Sequence, residues 1–574
     1  MDPNLYQDSP ARKLPLRIGV LLEATSLPRW AAEVLDHIAH SNFATIELIV
    51  FNSSAGMPRP APSLIGKVID ALRDRSLRRT LLFNLYEHWD RRNADPSTDP
   101  VTLVDCSERL AHVESMHVAP IAKRFVHRFP DDAIQKIREK KLDVIIRFGF
   151  NILRGEILTA AKHGVWSYHH GDNDHFRGGP AYFWELFEKN LISGATLQVL
   201  TEELDAGKVL CKGLFATEAG ISLSRNRVQP YWGASTFIIQ KLRELHAFGW
   251  EHVERRMEKP VPYQGKKKFY STPSNMEMLK WSVPLLAGKA LRRLVRRPMV
   301  QHWKIAVRVG AQPIPGSISP PDMSDFCWVE SPKGRFYADP FPVEADGKHW
   351  VYFEDYDYAT ELGKISCAEV MDGTLGEPLT ALKRPYHLSY PCVFRDHGTW
   401  YMIPESSMAH TVELYRCTRF PDRWQLEREL LKGFAVDTTV WIENDVYWFF
   451  VTYLEPRGYA GQLWLYSASS LDGAWTAHPE NPISTDVRYA RGAGAIFRHK
   501  GKLFRPSQDG SGEYGRSMIL NEIVKLDHGQ YREVPRMTVD PTLMKELTGT
   551  HTYGLSGAIE FIDGKARLLA NRVR

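Results

Sequence analysis

The run Ser167-Tyr168-His169-His170-Gly171-Asp172-Asn173-Asp174 gathers imidazoles, carboxylates, a carboxamide and a hydroxyl directly after an apolar stretch that reads as a strand. Such a cluster suits acyl-type transfer, in which a carbonyl carbon is attacked and negative charge builds on its oxygen. A histidine can donate a hydrogen bond to that oxygen, and a carboxylate can orient the imidazole or move a proton. Asp205, in the turn-like Leu204-Asp205-Ala206-Gly207, follows the alternating run GATLQVL at 194–200. Two neighbouring turns would bring His169 and Asp205 together. By residue type alone, a His and an Asp so far apart in sequence are more often unrelated surface groups.

A second set of candidates is acidic: Asp339 in YADPF, Glu405 in IPESS and Asp437 in VDTTVW. Each begins or ends a strand-like run, which suits acids facing a central channel. Inverting glycosidases use two carboxylates about 6.5–9.5 Å apart, one activating water and one protonating the leaving oxygen. The resemblance of this half to family 43-type glycoside hydrolases, set out below, implies Asp339 as the base and Glu405 as the acid. The plainer reading gives these acids hydrogen-bonding duties and places Trp350, Trp400, Trp441 and Trp448 in strand cores. Binding of a glycan or glycolipid therefore ranks above hydrolysis.

The elements that must position these residues fall into two classes. In the first half, RIGVLL (17–22), TIELIVF (45–51) and DVIIRFG (143–149) read as strands, and 28–40 carries Trp30, Val34, Leu35 and Ile38 at helical spacing. Strand–helix alternation predicts an α/β domain with a mostly parallel sheet, and sites in such sheets form beyond the carboxyl ends of the strands. The stretch 56–110 is polar and irregular and is assigned no element. In the second half a hairpin-like unit recurs in 341–357, 391–406, 438–453, 494–510 and 557–569. Five such units predict an all-β five-bladed propeller, with a β-sandwich as the alternative. The expected domains are 15–275, a basic linker or helix over 276–324, and the propeller over 325–574.

No acidic residue occurs between Glu277 and Asp322, and 289–309 carries seven Lys or Arg. Leu291, Leu294 and Val295 keep helical spacing until Pro298. The preferred reading is a linker helix between domains with its charges solvated, because the apolar face is short. The alternative is a basic amphipathic helix in peripheral contact with an anionic membrane.

Several classes are set aside. The net charge of +5 is small for 574 residues, so no nucleic-acid partner is expected. The start MDPNLYQDSPARKLPL has no apolar core, and no run of about 18 apolar residues follows, so neither a secretory signal nor a transmembrane helix is expected. Cys106, Cys211, Cys327, Cys367, Cys392 and Cys417 form no CxxC pair. Free thiols in a reducing cytoplasm are expected, with no metal site.

The stretch 166–210 resembles the core of the folate-dependent formyltransferases, the family of methionyl-tRNA formyltransferase, glycinamide ribonucleotide transformylase and the sugar N-formyltransferases. The family pattern is Asn-x-His, Arg-Gly, Gly-x-Thr and Leu-Asp-x-Gly. Here it runs without a gap through His169, Arg177–Gly178, Gly194, Thr196, Leu204–Asp205 and Gly207. Many matches at fixed spacing are far more specific than one short motif. The resemblance implies a Rossmann-like α/β fold, 10-formyltetrahydrofolate as co-substrate, and an amine as acceptor. It implies that His169 stabilises the oxyanion, that Asp205 orients that His and helps move the amine proton, and that no metal is needed. It also implies that Phe148, Gly149, Phe150, Asn151, Ile152, Leu153 and Leu204 line the pterin pocket.

The sequence departs from that pattern in two places. Ser167 stands where the family has Asn, so one oxyanion donor is changed, and His170 or Asn173 could supply a replacement. The expectation is an active enzyme with an altered oxyanion site; shifted chemistry and an inert domain are the other readings. The polar HHGDND argues for a reworked site, since decay tends to leave apolar residues. The first loop, LLEATSLPRW, has no phosphate-cradling glycine pair, which argues against a nucleotide acceptor held in that way, and Trp30 is expected in the core.

The second half resembles the propellers of family 43-type glycoside hydrolases and the domain preceding the catalytic part of plant glucosamine inositolphosphorylceramide transferases. The residues that carry this are YADPF, YPCVF (390–394), IPESS, VDTTVW and RGAGAIF (491–497). Together the two resemblances imply a formyltransferase acting on an amino sugar or amine-bearing glycan, with the propeller binding the glycan. The alternative is a glycoside hydrolase or glycan-binding protein with an inactive formyltransferase-like domain.

Overall fold

The computed structural model describes residues 3–54, 74–123, 125–203, 207–294, 299–310, 313–314, 323–458, 460–541 and 547–573. The chain divides into two compact units, one of 3–292 with 457–459 and one of 293–456 with 460–574.

The first unit is built on a seven-stranded sheet in the order Lys208–Ala216, Ile192–Val199, Val165–His169, Val144–Arg147, Leu16–Leu22, Ala44–Asn52, Ser115–Val118. The five strands from Val165–His169 to Ser115–Val118 are parallel, and the other two are antiparallel. The expected α/β architecture is therefore present. Parallel strands covered on both faces are continuously apolar, and Ile18, Val20, Leu21, Val144, Ile145 and Ile146 are all buried. The helix Arg29–Ala39 turns Trp30, Val34, Leu35 and Ile38 inward. Within 56–110 the described residues form the helices Arg75–Arg79 and Leu81–Arg92 and the short strand Leu103–Asp105. Chain order reverses beside Leu16–Leu22, whose neighbours are Ala44–Asn52 on one side and Val144–Arg147 on the other. That switch point opens the crevice in which α/β sheets hold their sites.

Among the described residues the second unit holds five antiparallel sheets. Four follow one another along the chain, beginning with Arg335–Ala345, Ser389–Asp396, Ala435–Glu443 and Arg491–Gly492. The fifth joins strands from both ends of the unit, because Met299–Val309 pairs along its whole length with Ile559–Leu569.

Two sequence expectations are corrected here. The basic stretch 289–309 is not one linker helix. A helix, Asn275–Leu294, ends within it, and Met299–Val309 is a strand of the second unit. Val300, Ile305, Val307 and Val309 favour a strand, and Ile305, Ala306 and Val307 are buried in the second unit's core. The expected linker at 276–324 thus divides between the units, and the sheets of the second begin before residue 325. The other correction concerns 557–569, expected as a hairpin-like unit. It is one continuous strand with Tyr553–Ser556 along its far edge. Gly564 serves packing, since a Cβ there would lie 2.5 Å from Leu547 and 2.7 Å from Trp328.

A buried ion pair fastens the two distant strands. Arg308 donates through Nε to Glu560 at 2.9 Å, and Glu560 also accepts from the Tyr553 hydroxyl at 2.5 Å and the Ile314 amide at 2.7 Å. Removing one member of such a pair strands the other charge, at a cost of about 3–5 kcal/mol. Arg308→Met is expected to lower the unfolding free energy of the second unit by that amount in denaturant titration, while Lys304→Met, at an exposed pair with Glu330, changes it by less than about 1 kcal/mol.

Candidate functional site

The polar cluster of the first unit sits at the carboxyl ends of three adjacent parallel strands. Leu16–Leu22 delivers Glu23, Val144–Arg147 delivers Arg147 and the loop after it, and Val165–His169 delivers Ser167 and His169. Register places Arg147 directly beside Ser167. Arg147 donates through Nη1 to the Ser167 hydroxyl at 3.0 Å and through Nη2 to the carbonyls of Phe150 at 2.8 Å and Asn151 at 3.1 Å. A guanidinium thus occupies the corner where the sequence suggested a missing donor. It went unremarked because an arginine at a strand end resembles any solvated charge; its alignment with Ser167 across parallel strands is the signal that distinguishes it.

His169 is partly buried and bonds through Nε2 to the carbonyl of Phe176 at 2.8 Å. A carbonyl only accepts, so Nε2 carries the hydrogen. His170 faces another way. It packs against Trp30, Tyr168, Tyr182 and Tyr231, with centroids 4.8, 5.8, 6.2 and 4.1 Å away. Burial pushes its imidazole down to about 3, so it stays neutral. Trp30 is core, as expected. Asn173 is buried, its side-chain carbonyl taking a 3.4 Å bond from Thr196. Asp172 and Asp174 grip Lys212 at 2.8 and 2.5 Å. Burial opposes the charge on Lys212, but Asp172 and Asp174 hold its ammonium above its ordinary value. Much of HHGDND therefore braces the loop around His169. Lys212 was legible as a partner only through pairing, since it lies opposite Thr196 on the next strand.

The motif glycines mark close approaches. A Cβ at Gly178 would lie 2.2 Å from the Tyr270 carbonyl, and one at Gly194 would lie 2.8 Å from the Asp172 Cα. At Gly207 it would lie 2.6 Å from the Val199 carbonyl. Leu204 and Asp205 lie outside the described residues.

The loop after Arg147 is held by side chains. The Phe150 amide donates to the Glu23 carboxylate, and the Asn151 amide donates to His127 Nδ1 at 3.3 Å. Phe148 and Gly149 both donate to the Leu21 carbonyl. Ile152–Leu153 is then the outer strand of a three-stranded sheet. Ile152 donates to Phe125 at 2.9 Å and Arg154 to His127 at 3.1 Å. Strand alternation turns the N–H and C=O of Leu153 the opposite way, toward the sheet edge. Adjacent main-chain donor and acceptor groups of that kind match the amino-oxo edge of a planar heterocycle, so these residues fit a pterin. Of the loop residues expected to bind it, Leu153 offers this edge, and Phe148, Gly149, Phe150, Asn151 and Ile152 shape the loop with their own amides already bonded.

In the second unit the first strands of three sheets carry a bulge whose residue is left-handed: Asp339 (φ 52°), Tyr390 (φ 44°) and Asp437 (φ 48°). Non-glycine residues held there cost of order 1–3 kcal/mol each and cluster at functional sites. Asp339 is buried and accepts from the Thr552 hydroxyl at 2.8 Å and the Tyr390 amide at 3.2 Å. Burial raises its carboxyl, against the pull of His551. His551 lies 2.5 Å from Asp563; although burial opposes it, Asp563 and Asp339 hold the imidazolium above its ordinary value. Asp437 pairs with Arg491 and accepts from Gln508 at 3.2 Å. Burial lifts the Asp437 carboxyl to about 7 while Arg491 draws it down. Glu405 accepts from Ser407 at 2.6 Å and Ser389 at 3.1 Å and lies 3.8 Å from Arg491. Arg491 thus joins Glu405 to Asp437, and its guanidinium lies 4.8 Å from the ring centre of the half-exposed Tyr514. Arg491, His551, Asp563 and Tyr514 were not singled out in the sequence; Arg491 opens the RGAGAIF run, and the others follow no motif. Asp339, His551 and Asp563 are spaced to hold a cation, but Asp563 already accepts from the amides of His551, Thr552 and Asp339.

The family description "Glucosamine inositolphosphorylceramide transferase 1, N-terminal" matches residues 280–553. The rice (Oryza sativa subsp. japonica) glucosamine inositolphosphorylceramide transferase 1 is 36% identical over 207 residues, covering 35% of this chain and 28% of that protein. The Arabidopsis thaliana protein of the same name is 36% identical over 208 residues, covering 35% of this chain and 27% of its own length. The chain thus spans little more than a quarter of these relatives. Among solved structures, a glycinamide ribonucleotide transformylase from Symbiobacterium toebii aligns with 40% of this chain and 88% of its own at 14% identity and a TM-score of 0.27. A thermostable family-43 glycoside hydrolase aligns with 35% and 75% at 14% identity and a TM-score of 0.28.

Glu185, buried one helix away from the His169 loop, has a carboxylate oxygen with no partner among the described residues. Burial pushes its carboxyl up to about 8. A raised acid favours folding most below its unfolded value of 4.5, and that contribution fades as pH rises toward 8. Glu185→Gln is therefore expected to flatten the loss of first-unit stability between pH 4.5 and 8, measured as the difference in unfolding midpoint from the parent protein.

Proposed function

We propose that this protein is a transferase acting on an amine-bearing glycan or glycolipid. In this reading the first unit moves a formyl group from 10-formyltetrahydrofolate to the amine, and the second unit, as a five-bladed propeller, binds the glycan. The observation that carries the reading is the pairing of Arg147 with the Ser167 hydroxyl across adjacent parallel strands, on the strand that ends at His169. The matched relatives are named for glucosamine and inositolphosphorylceramide, which motivates an amino-sugar or glycolipid acceptor.

The co-substrate, when bound, supplies an activated formyl carbon on a nitrogen leaving group. The residues of the chain do the rest. Leu153 would hold the heterocycle through its N–H and C=O. Arg147 donates to the Ser167 oxygen, which makes the Ser167 hydroxyl a stronger donor; its hydrogen, directed at the Tyr168 carbonyl at 3.4 Å, would turn toward charge developing on the formyl oxygen. His169, oriented by Phe176, and Asp205 are proposed to move the amine proton between them. Trp30 and Tyr231, packed about His170, keep that neighbouring imidazole neutral and out of the proton path.

In the second unit, binding is favoured over hydrolysis by one observation. Asp339 and Glu405, the base and acid a hydrolase would use, accept on both oxygens from Thr552, Tyr390, Ser407 and Ser389, and Asp437 is held through one oxygen by Arg491 and Gln508. Tyr514 and Arg491 are the groups proposed to meet the sugar.

The test uses the purified chain, 10-formyltetrahydrofolate and amino sugars, nucleotide-linked amino sugars and amino acids, read by mass for gain of a formyl group. Gain on an amino sugar is expected, and no gain on any amine would sink the reading. His169→Ala and Arg147→Leu are each expected to lower kcat by about 10²–10³-fold, the usual cost of removing such a group. Reducing-sugar release that vanishes in Asp339→Asn but survives His169→Ala would replace binding by hydrolysis.

A further inference from the structure

The helix Asn275–Leu294 has two apolar faces. Its start is fixed by a capping box: Ser274 donates through its amide and hydroxyl to Glu277, each at 2.8 Å, and the Glu277 amide returns to the Ser274 hydroxyl at 3.4 Å. Asn275 anchors it further, donating to the Arg78 carbonyl and accepting from the Leu82 amide. One face is docked. Met278 and Trp281 are buried, and Trp281 lies edge-on to Tyr86 and Phe183 with centroids 5.4 and 5.1 Å away.

The opposite face is not docked. Met276, Leu279, Val283 and Leu286 recur at i, i+3, i+7 and i+10, a single stripe of the helix, and are 62, 46, 55 and 52% exposed. Contiguous apolar stripes of this kind on a soluble surface mark a contact with protein or membrane. Charge decides between them. Past Glu277 the sequence has no acid until Asp322, and it places Lys280, Lys289, Arg292, Arg293, Arg296 and Arg297 along and just after the stripe. Two copies meeting through this face would bring like charges together. Nucleic acid would satisfy the cations but not the apolar side chains. An anionic bilayer satisfies both, taking the stripe into the headgroup–acyl boundary and the cations onto the lipid phosphates and carboxylates. No described helix is long and apolar enough to cross a membrane, so the helix would lie in the interface.

We propose that the stripe Met276, Leu279, Val283 and Leu286, with the basic residues that follow it, docks this protein on an anionic membrane surface. The sequence offers a lipid contact in 289–309 only as the alternative to a linker helix, because the apolar face there is short; the exposed face begins a full three turns earlier, and 299–309 is not part of it.

The full chain is mixed with vesicles of phosphatidylcholine alone or with added phosphatidylserine, and the sedimenting fraction is measured at low and high salt. Sedimentation with the anionic vesicles only, weakening as salt rises, is expected. Leu279→Glu with Val283→Glu is expected to abolish it with the melting temperature unchanged, because both residues are exposed. Gln at Arg292, Arg293, Arg296 and Arg297 is expected to weaken it by about fivefold per arginine removed. Failure of the parent protein to sediment, or full sedimentation of the stripe variant, would overturn the proposal. So would a dimer in analytical ultracentrifugation that the stripe variant dissolves, because the stripe would then be a self-contact. Formylation of a soluble amine is a separate readout, which the stripe variant should leave unchanged.

Discussion

Both sites rest on one constraint: main-chain N–H groups buried where strands end must find acceptors. In the first unit the Glu23 carboxylate takes the Phe150 amide, in the left-handed turn that follows Arg147. In the second the Asp563 carboxylate takes the amides of Asp339, His551 and Thr552. Each acid converts a loop that would otherwise fray into a fixed scaffold. The geometry of Ser167 and His169 depends on the first arrangement, and that of Asp339 and His551 on the second. These carboxylates are supports, and a reading that takes every buried acid in a cleft for a reacting group would misassign them.

Charge in the second unit is arranged to cancel locally. Arg491 lies between Asp437 and Glu405, and His551 lies between Asp563 and Asp339. Alternation of sign keeps a cluster of acids tolerable in a buried centre, where like charges would otherwise neutralise by taking up protons. It also explains why three left-handed residues persist there: Tyr390 holds Thr439 and Gly494 through its hydroxyl, so the strain at each bulge is met by bonds from its neighbours.

The parts legible in the sequence were those set by period and spacing. The strands at 17–22, 45–51 and 143–149 and the helix after residue 28 follow from apolar runs and helical repetition, and His169 with its glycines follows from a motif whose spacing is fixed by close backbone approaches. What was not legible depends on cross-chain pairing. Arg147 gains meaning only beside Ser167, Lys212 only opposite Thr196, and Arg491 only between two acids from other sheets. Residues 299–309 read as part of a solvated helix because of the five Lys and Arg just before them, while their own β-branched residues have a partner more than two hundred residues away. A glycine after aspartate favours a turn in sequence, but Gly564 lies inside a strand and makes room for Leu547 and Trp328.

That distant partner bears on how the chain is made. Arg308 and Glu560 are 252 residues apart, so during synthesis Met299–Val309 emerges long before the strand it pairs with. At about 5–20 residues per second the edge that pairs with Ile559–Leu569 waits tens of seconds, while the other can meet Cys327–Trp328 soon after it emerges. The first unit can close its seven-stranded sheet in that interval, whereas the second cannot complete its first sheet until it is nearly all translated. Its earliest strand is thus the segment most exposed to mispairing and to capture by chaperones, and slowing translation between residues 309 and 559 should lower the yield of the second unit more than that of the first.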